Sequence, residues 1–303
     1  MVPLNPSPDS PFAVTFGEGT VVIDSEDLDV LREIRYLLRH CRSPVDHDGV
    51  GTGVTSLAVR MSEDGGRIIT KDGQIILRSS SAAALIERIL YETTVNLARA
   101  NRSSLVLHAA GVALGTAGVA LCGESGAGKS TLAARSILGG FNLLSDELIL
   151  VDPSLGTMSG FPRPLVLKDV VAGLGTDNLP VQIQSPAVIG EVGNSYVDPE
   201  QIRSGCVQPG AEVAVLVFPR YSPNSNPVIQ RLSPAAAAFR LLPRVVNAPN
   251  LPRRGLDAVT ALAKRVPAYA AAYSDASLIV PVLHQLVDSP LAARHTSHRP
   301  PRV

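Results

Sequence analysis

The chain has 303 residues, enough to bury a full core and to divide into two domains. Lys+Arg and Asp+Glu are equal at 27 each, so no net field draws the protein to nucleic acid or to an anionic membrane. The balance of 45% hydrophobic and 18% charged residues is that of a soluble globular protein. Three cysteines (Cys41, Cys122, Cys206) without metal-like spacing fit a reducing compartment.

The opening residues, Met1 to Pro6, lack a basic segment leading into an apolar one, so no signal peptide is expected and the location is read as cytoplasmic. Residues 12–100 read as α+β. A first strand is predicted at Pro11–Phe16, then a helix capped by Ser25 with Leu28, Leu31, Ile34 and Leu38 on one face. The stretch Ser43 to Gly53 is polar and Gly-rich and reads as a loop, its Asp46-His47-Asp48 as solvated acids rather than a metal site. Val54 to Val59 alternates as a strand. Asp72-Gly73 joins Arg67–Thr70 to Gln74–Leu77 as a hairpin, and a long helix from Ala82 to Ala100 follows Ser81. This half, residues 1–103, shows no chemistry and reads as a recognition or scaffold module.

Leu105 to Cys122 is nearly uncharged and long enough to imitate a membrane span. His108, three glycines and Thr116 interrupt it, which predicts two buried strands turning at Gly115-Thr116. His108 itself divides evenly between a core histidine and a functional one. Then comes Gly123-Glu124-Ser125-Gly126-Ala127-Gly128-Lys129-Ser130, followed by Thr131, which meets the phosphate-loop pattern G-x-x-x-x-G-K-[ST] at every fixed position. Glycines let backbone N–H groups turn inward around a phosphate, Lys129 can reach the β/γ-oxygens, and the Ser130 hydroxyl can meet Mg²⁺. A strand at Gly118–Cys122 and a helix at Thr131–Leu138 flank the loop as the motif requires, so a nucleoside triphosphate is the expected ligand.

Ser145-Asp146-Glu147 arrives seventeen residues after Lys129, enough for one helix and a return strand. That spacing puts Asp146 at the carboxyl end of its strand, beside the loop. Two adjacent carboxylates can divide the work, one ordering Mg²⁺ and the other taking a proton from an attacking hydroxyl. Phe161–Lys168 is predicted as an extended, proline-braced strand whose Arg163 and Lys168 could neutralise phosphate charge. Residues 172–210, rich in Gly, Pro and Asn, read as a lid, with Gly173, Gly175, Gly190 and Gly193 as hinges and Arg203 facing an acidic group. Val213–Phe218 suits a central strand, with Arg220 at its end a weaker phosphate candidate. Helices are predicted after Ser233-Pro234 and from Leu256 to Val266, and a disordered tail with His295 and His298 over 291–303.

His108-Ala109-Ala110-Gly111-Val112, the loop Gly123–Thr131 and Ser145-Asp146-Glu147 stand in the order and spacing of the HPr kinase/phosphorylase catalytic domain. Over residues 104–290 the chain resembles HPr-kinase-related proteins, a group that includes kinases of peptide-modification clusters such as lasso-peptide tailoring. The resemblance implies His108 at the phosphoryl site, Asp146 as base for an attacking serine, and Glu147 with Ser130 at the metal. The usual second aspartate is the longer Glu147 here. The phosphorolysis signature is not found, so that activity is not implied.

The expectation is an α/β phosphate-loop kinase with a smaller N-terminal α+β module. It would use ATP and Mg²⁺ to phosphorylate a serine-type hydroxyl of a peptide or protein, and a homo-oligomer stays open. A kinase of a small hydroxyl metabolite, or a nucleotide-dependent regulatory ATPase, would share these motifs.

Overall fold

The structure, a computed structural model, describes residues 10–43, 54–63, 65–168, 188–189 and 194–288. Asp46-His47-Asp48, the proposed hinge glycines and the tail histidines lie outside the described residues. So does the side chain of Lys168.

The N-terminal sheet runs β3-β1-β2-β4-β5-β6. Its strands are β1 (Phe12–Phe16), β2 (Gly19–Ser25), β3 (Arg42–Ser43), β4 (Val54–Met61), β5 (Arg67–Lys71) and β6 (Gln74–Ser79). Every second residue of β2 is buried, the period-2 signature of a sheet with one covered face. Helices α1 (Leu28–Leu37) and α2 (Ala82–Ala100) cover that face with Leu31, Ile34, Leu85, Ile89 and Leu97. The expected hairpin forms, Asp72 and Gly73 both adopting positive φ (49° and 81°), the mirror-image turn that follows strand twist. Ser81 caps α2 as expected, its Oγ accepting from Ala84 N at 3.3 Å. The cap of α1 is Asp27 instead of Ser25: its carboxylate accepts from Asp29 N and Val30 N, while the Ser25 hydroxyl bonds the Asp27 backbone. Aspartate two residues nearer the first turn reaches the free N–H groups that Ser25 cannot.

The second unit is built on a larger sheet ordered β11-β10-β7-β8-β15-β17-β16, with β9 also on β7. Its strands are β7 (Leu105–Leu114), β8 (Ala117–Cys122), β9 (Asn142–Ser145), β10 (Leu148–Asp152), β11 (Thr157–Gly160), β15 (Gly210–Tyr221), β16 (Val228–Arg231) and β17 (Ala268–Tyr273). The suspected membrane-like run is the β7–β8 hairpin, and among the described residues no helix is long and apolar enough to cross a membrane. Strand β15 lies between β8 and β17, parallel to both. Side chains alternate along β8. Val119 and Leu121 pack with α3 (Lys129–Leu138) and α7 (Val280–Asp288), whereas Ala120 and Cys122 face α5 (Pro234–Leu241) and α6 (Leu256–Arg265). The result is three layers, helices on both faces of a mixed sheet.

A small third sheet joins β12 (Leu165–Lys168), β13 (Val188–Ile189) and β14 (Asn194–Val197), and α4 (Pro199–Ile202) follows. Only Leu165–Lys168 of the expected Phe161–Lys168 strand is paired; the two prolines cannot donate to a ladder. The stretch 194–207, read from composition as part of an irregular lid, is instead core: Tyr196, Val197, Ile202 and Cys206 are buried. Arg203, expected to face an acidic ligand, donates to Ile137 O, Phe141 O and Asn142 Oδ1 at the end of α3.

The two units share apolar contacts. Val106, Leu148, Phe161 and Tyr196 pack with the N-terminal core, and the Phe16 and Phe161 rings stand 5.7 Å apart. The join is sealed by Asn247, which follows α5. Its buried amide donates to Asn101 O (3.0 Å) and Ser104 O (2.8 Å) and accepts from Val106 N (2.9 Å). Asn247→Ala removes the partner of two buried backbone groups, Asn101 O and Val106 N, and of the half-buried Ser104 O, so it should lower stability by about 2–4 kcal/mol. Chemical denaturation of both proteins checks this; unchanged stability would mean that water replaces the amide without loss.

Candidate functional site

The site is organised by strand β7, which changes neighbours on both edges at the same level. On one edge Gly111 pairs with Ser145 of β9, and His108 with Leu148 of β10. Only Asp146 and Glu147 lie between those two strands. The Ser145 hydroxyl shapes this gap, accepting from Glu147 N and Leu148 N (3.1 Å each) and donating to Phe161 O (3.0 Å). On the other edge β8 ends at Cys122 opposite Ala109, and the Gly123–Ser130 loop departs there. The vacated edge of β7 is taken by Val245, opposite Leu107.

The loop is held from its far side. Tyr221 N, at the end of β15, donates to Ala127 O (3.1 Å), and the Tyr273 hydroxyl, at the end of β17, donates to Gly128 O (3.3 Å). Gly128 takes φ +87°, and a Cβ there would stand 2.8 Å from the Tyr273 hydroxyl, so both conformation and space demand glycine. Helix α3 begins immediately, at Lys129. The Lys129 ammonium folds back on the loop, donating to Gly123 O and Glu124 O at 3.0 Å each.

Asp146 is buried, and its Oδ2 accepts from Val166 N at 3.2 Å. Its Oδ1 has no hydrogen-bond partner. Burial raises the carboxyl to about 7, against the opposing pull of the Ser130 hydroxyl, the Val166 N–H and Arg163, with the Glu147 charge adding to the rise. Burial likewise lowers Lys129, while the charges of Asp146 and Glu147 hold it up. Glu147 pairs with Arg163 (Oε2 to Nη2, 3.0 Å) and stands 3.8 Å from His108 Nδ1. Burial lowers His108 against the opposing pull of that carboxylate.

The structure therefore brings Lys129, Ser130, Asp146, Glu147, His108 and Arg163 to one end of the large sheet. Arg220 is exposed one residue before Tyr221. Two contributors escaped the sequence reading. Thr94 of α2, in the half that seemed to hold no chemistry, accepts from Arg163 Nη1 at 3.3 Å. Arg244 pairs with Glu124 of the loop at 3.1 Å. No motif announces either; both meet the site through long-range packing.

A hydroxyl beside a buried carboxylate with an unpartnered oxygen suits a hard cation that keeps several waters. Among the described residues no group of three or more His, Cys, Asp or Glu side chains could hold a metal alone.

No protein-family model matches this sequence, and no curated protein does. The solved structure of the Hpr(Ser) kinase/phosphatase from Coxiella burnetii matches at 15% identity with a TM-score of 0.29, over 64% of this chain and 98% of that chain. So loose an overlap carries no chemistry, which rests on the residues.

Asp146 gives the ligand-free protein a pH signature. Its folded value of about 7 lies above the ordinary aspartate value near 4, so the proton stabilises the fold fully below about pH 4, and that stability is lost as pH rises through about 7. Asp146→Asn imitates the protonated form. Its melting temperature should fall less than that of the wild type between pH 5 and 8, the gap widening with pH. Parallel curves would show that Asp146 is not held protonated.

Proposed function

We propose that this protein is an ATP- and Mg²⁺-dependent kinase that transfers the γ-phosphoryl group to a hydroxyl, serine in a peptide or protein. The observation that carries the reading is the position of Asp146. A buried carboxyl near neutrality in proton affinity, with one oxygen unpartnered, adjoins the Ser130 hydroxyl at the start of α3. Structural carboxylates ordinarily have both oxygens partnered; a buried carboxyl raised to about 7, with Oδ2 on Val166 N and Oδ1 without a partner, matches a base that must accept a proton at working pH.

In this reading the backbone N–H groups of the Gly123–Thr131 loop and the start of α3 hold the nucleotide phosphates. Lys129 leaves the Gly123 and Glu124 carbonyls to meet phosphate oxygens, a charge-assisted exchange that favours the ligand. Ser130 and Glu147 would hold Mg²⁺, which would neutralise phosphate charge. Asp146 takes the proton from the acceptor hydroxyl as its oxygen bonds the γ-phosphorus, and the bond from that phosphorus to the β-phosphate oxygen breaks with its electron pair. Arg163, fixed by Glu147 and Thr94, contributes a buried positive charge beside the reacting group, and Lys168 closes the same segment. His108 can accept or donate a hydrogen bond there.

Two variants test this. Lys129→Ala should abolish nucleotide turnover while leaving circular dichroism unchanged. Asp146→Asn should still bind nucleotide but lose phosphoryl transfer by about a hundredfold or more. Product formation is followed with serine peptides, with small hydroxyl compounds and with nucleotide alone. Faster phosphorylation of peptides supports the peptide reading, and preference for a small acceptor assigns a metabolite kinase. Slow ATP hydrolysis indifferent to both acceptors and to Asp146→Asn would make the chain a regulatory ATPase and overturn the kinase reading.

A further inference from the structure

Arg244 has no part in the mechanism above, yet the fold delivers it to the same place. The antiparallel bridge between Leu107 and Val245, with Val246 N donating to Val106 O at 2.9 Å, sets the register of this segment on β7. In that register Arg244 lies across from His108, where β8 has just left the edge to become the Gly123–Ser130 loop. Asn247 locks the register with its three hydrogen bonds. We propose that Arg244 is a further catalytic residue, whose guanidinium leaves Glu124 to bind the γ-phosphoryl oxygens of the nucleotide.

This role rests on the loop being a triphosphate site, and three observations support it. First, the partner that holds Arg244 now is easily exchanged. Glu124 is 82% exposed and Arg244 19%, so the pair joins a well-placed cation to a solvated acid on the loop that must rearrange around a ligand. Such exposed pairs change equilibria by no more than about fivefold. Second, the charge of Arg244 reaches the reacting groups, being among the influences that lower both His108 and Lys129. Third, the chemistry fits. The planar fork of arginine matches phosphate oxygens, and phosphoryl transfer is promoted by cations arriving from outside the loop. Lys129 approaches from the loop helix, Arg163 from the Glu147 side of β7, and Arg244 from the opposite edge. Glu124 would hold Arg244 aside in the empty site, keeping two arginines and a lysine from facing one another uncompensated.

The test is equilibrium binding of Mg²⁺-ADP and of the non-hydrolysable Mg²⁺-β,γ-imido-ATP, with transfer rates measured beside it. Wild-type protein should bind both nucleotides, and Lys129→Ala should weaken both; failure of the wild type to bind either removes the triphosphate site and the role of Arg244 with it. Arg244→Gln should weaken the imido-triphosphate by roughly ten- to hundredfold and leave ADP within twofold, because only the former carries the γ-group. Arg244→Lys, which keeps the charge, should recover part of the binding but not the transfer rate, since the forked geometry is lost. Glu124→Gln should strengthen triphosphate binding by about two- to fivefold by removing the competing acid. Equal weakening of both nucleotides by Arg244→Gln would make the residue a brace for the loop and overturn the proposal. If that variant does not fold, Glu124→Gln decides: unchanged or weaker triphosphate binding overturns the proposal as well.

Discussion

Strand β7 must satisfy two edges with four partners, and the levels at which those partners change coincide. On one side β9 gives way to β10; on the other β8 gives way to the segment at Val245. Backbone pairing cannot continue through a change of partner, so the residues at each change are released from the ladder. On one edge Asp146 is released while Glu147 keeps one bond to β7, its carbonyl accepting from Ala109 N at 3.2 Å; on the other edge the Gly123–Ser130 loop departs. His108 stands between them. The polar side chains are therefore gathered where the sheet changes partners, with His108 still in the ladder opposite Leu148. The Ser145 hydroxyl makes the first gap tolerable by satisfying Glu147 N and Leu148 N.

The same geometry fixes the electrostatics. Glu147 meets a buried arginine and stays within reach of histidine, whereas Asp146 faces inward with one backbone N–H and the Ser130 hydroxyl for company. Two adjacent carboxyls thus experience opposite surroundings. Desolvation dominates at Asp146, and a short ion pair characterises Glu147. An isolated buried carboxylate is costly, so in the ligand-free protein the protonated and ionised forms of Asp146 are close in free energy near pH 7. A bound cation would favour the ionised form, which links proton release to ligand arrival without any change of fold.

How legible this was depends on distance along the chain. The loop, its flanking strand and helix, and the acidic pair seventeen residues later are local features, and local geometry follows from local sequence. The hairpin at Asp72-Gly73 and the cap at Ser81 belong to the same class. Ser25 and Asp27 show the limit of that reading, since both suit a cap and only the first-turn geometry chooses between them. Composition misled over 194–207, where Gly and Pro nearby masked a buried run containing Tyr196, Val197, Ile202 and Cys206. Arg244 and Thr94 could not be found at all. The first is 120 residues from its loop partner Glu124 and the second 69 from Arg163, and register and helix packing, which sequence pattern does not encode, bring them in.

The N-terminal unit consequently has a physical connection to the chemistry that its sequence conceals. Arg163 is buried, and both terminal nitrogens of its guanidinium are directed at acceptors while its Nε has no partner. One acceptor is Glu147 in the site and another is Thr94 on α2, whose own hydroxyl is anchored on Leu90 O at 2.8 Å. A second tie joins the units where Asp198, capping α4, accepts from the Tyr36 hydroxyl and pairs with Arg39 of the α1 end. Arg203, at the end of α4, in turn grips Ile137 O in the last turn of α3 and Phe141 O just beyond it. The acidic pair and the end of α3 are thereby both tied to the N-terminal unit, Glu147 through Arg163 and α2, and the end of α3 through α4 and α1. Displacing that unit would shift the acidic pair and the helix together, which makes it a structural part of the site.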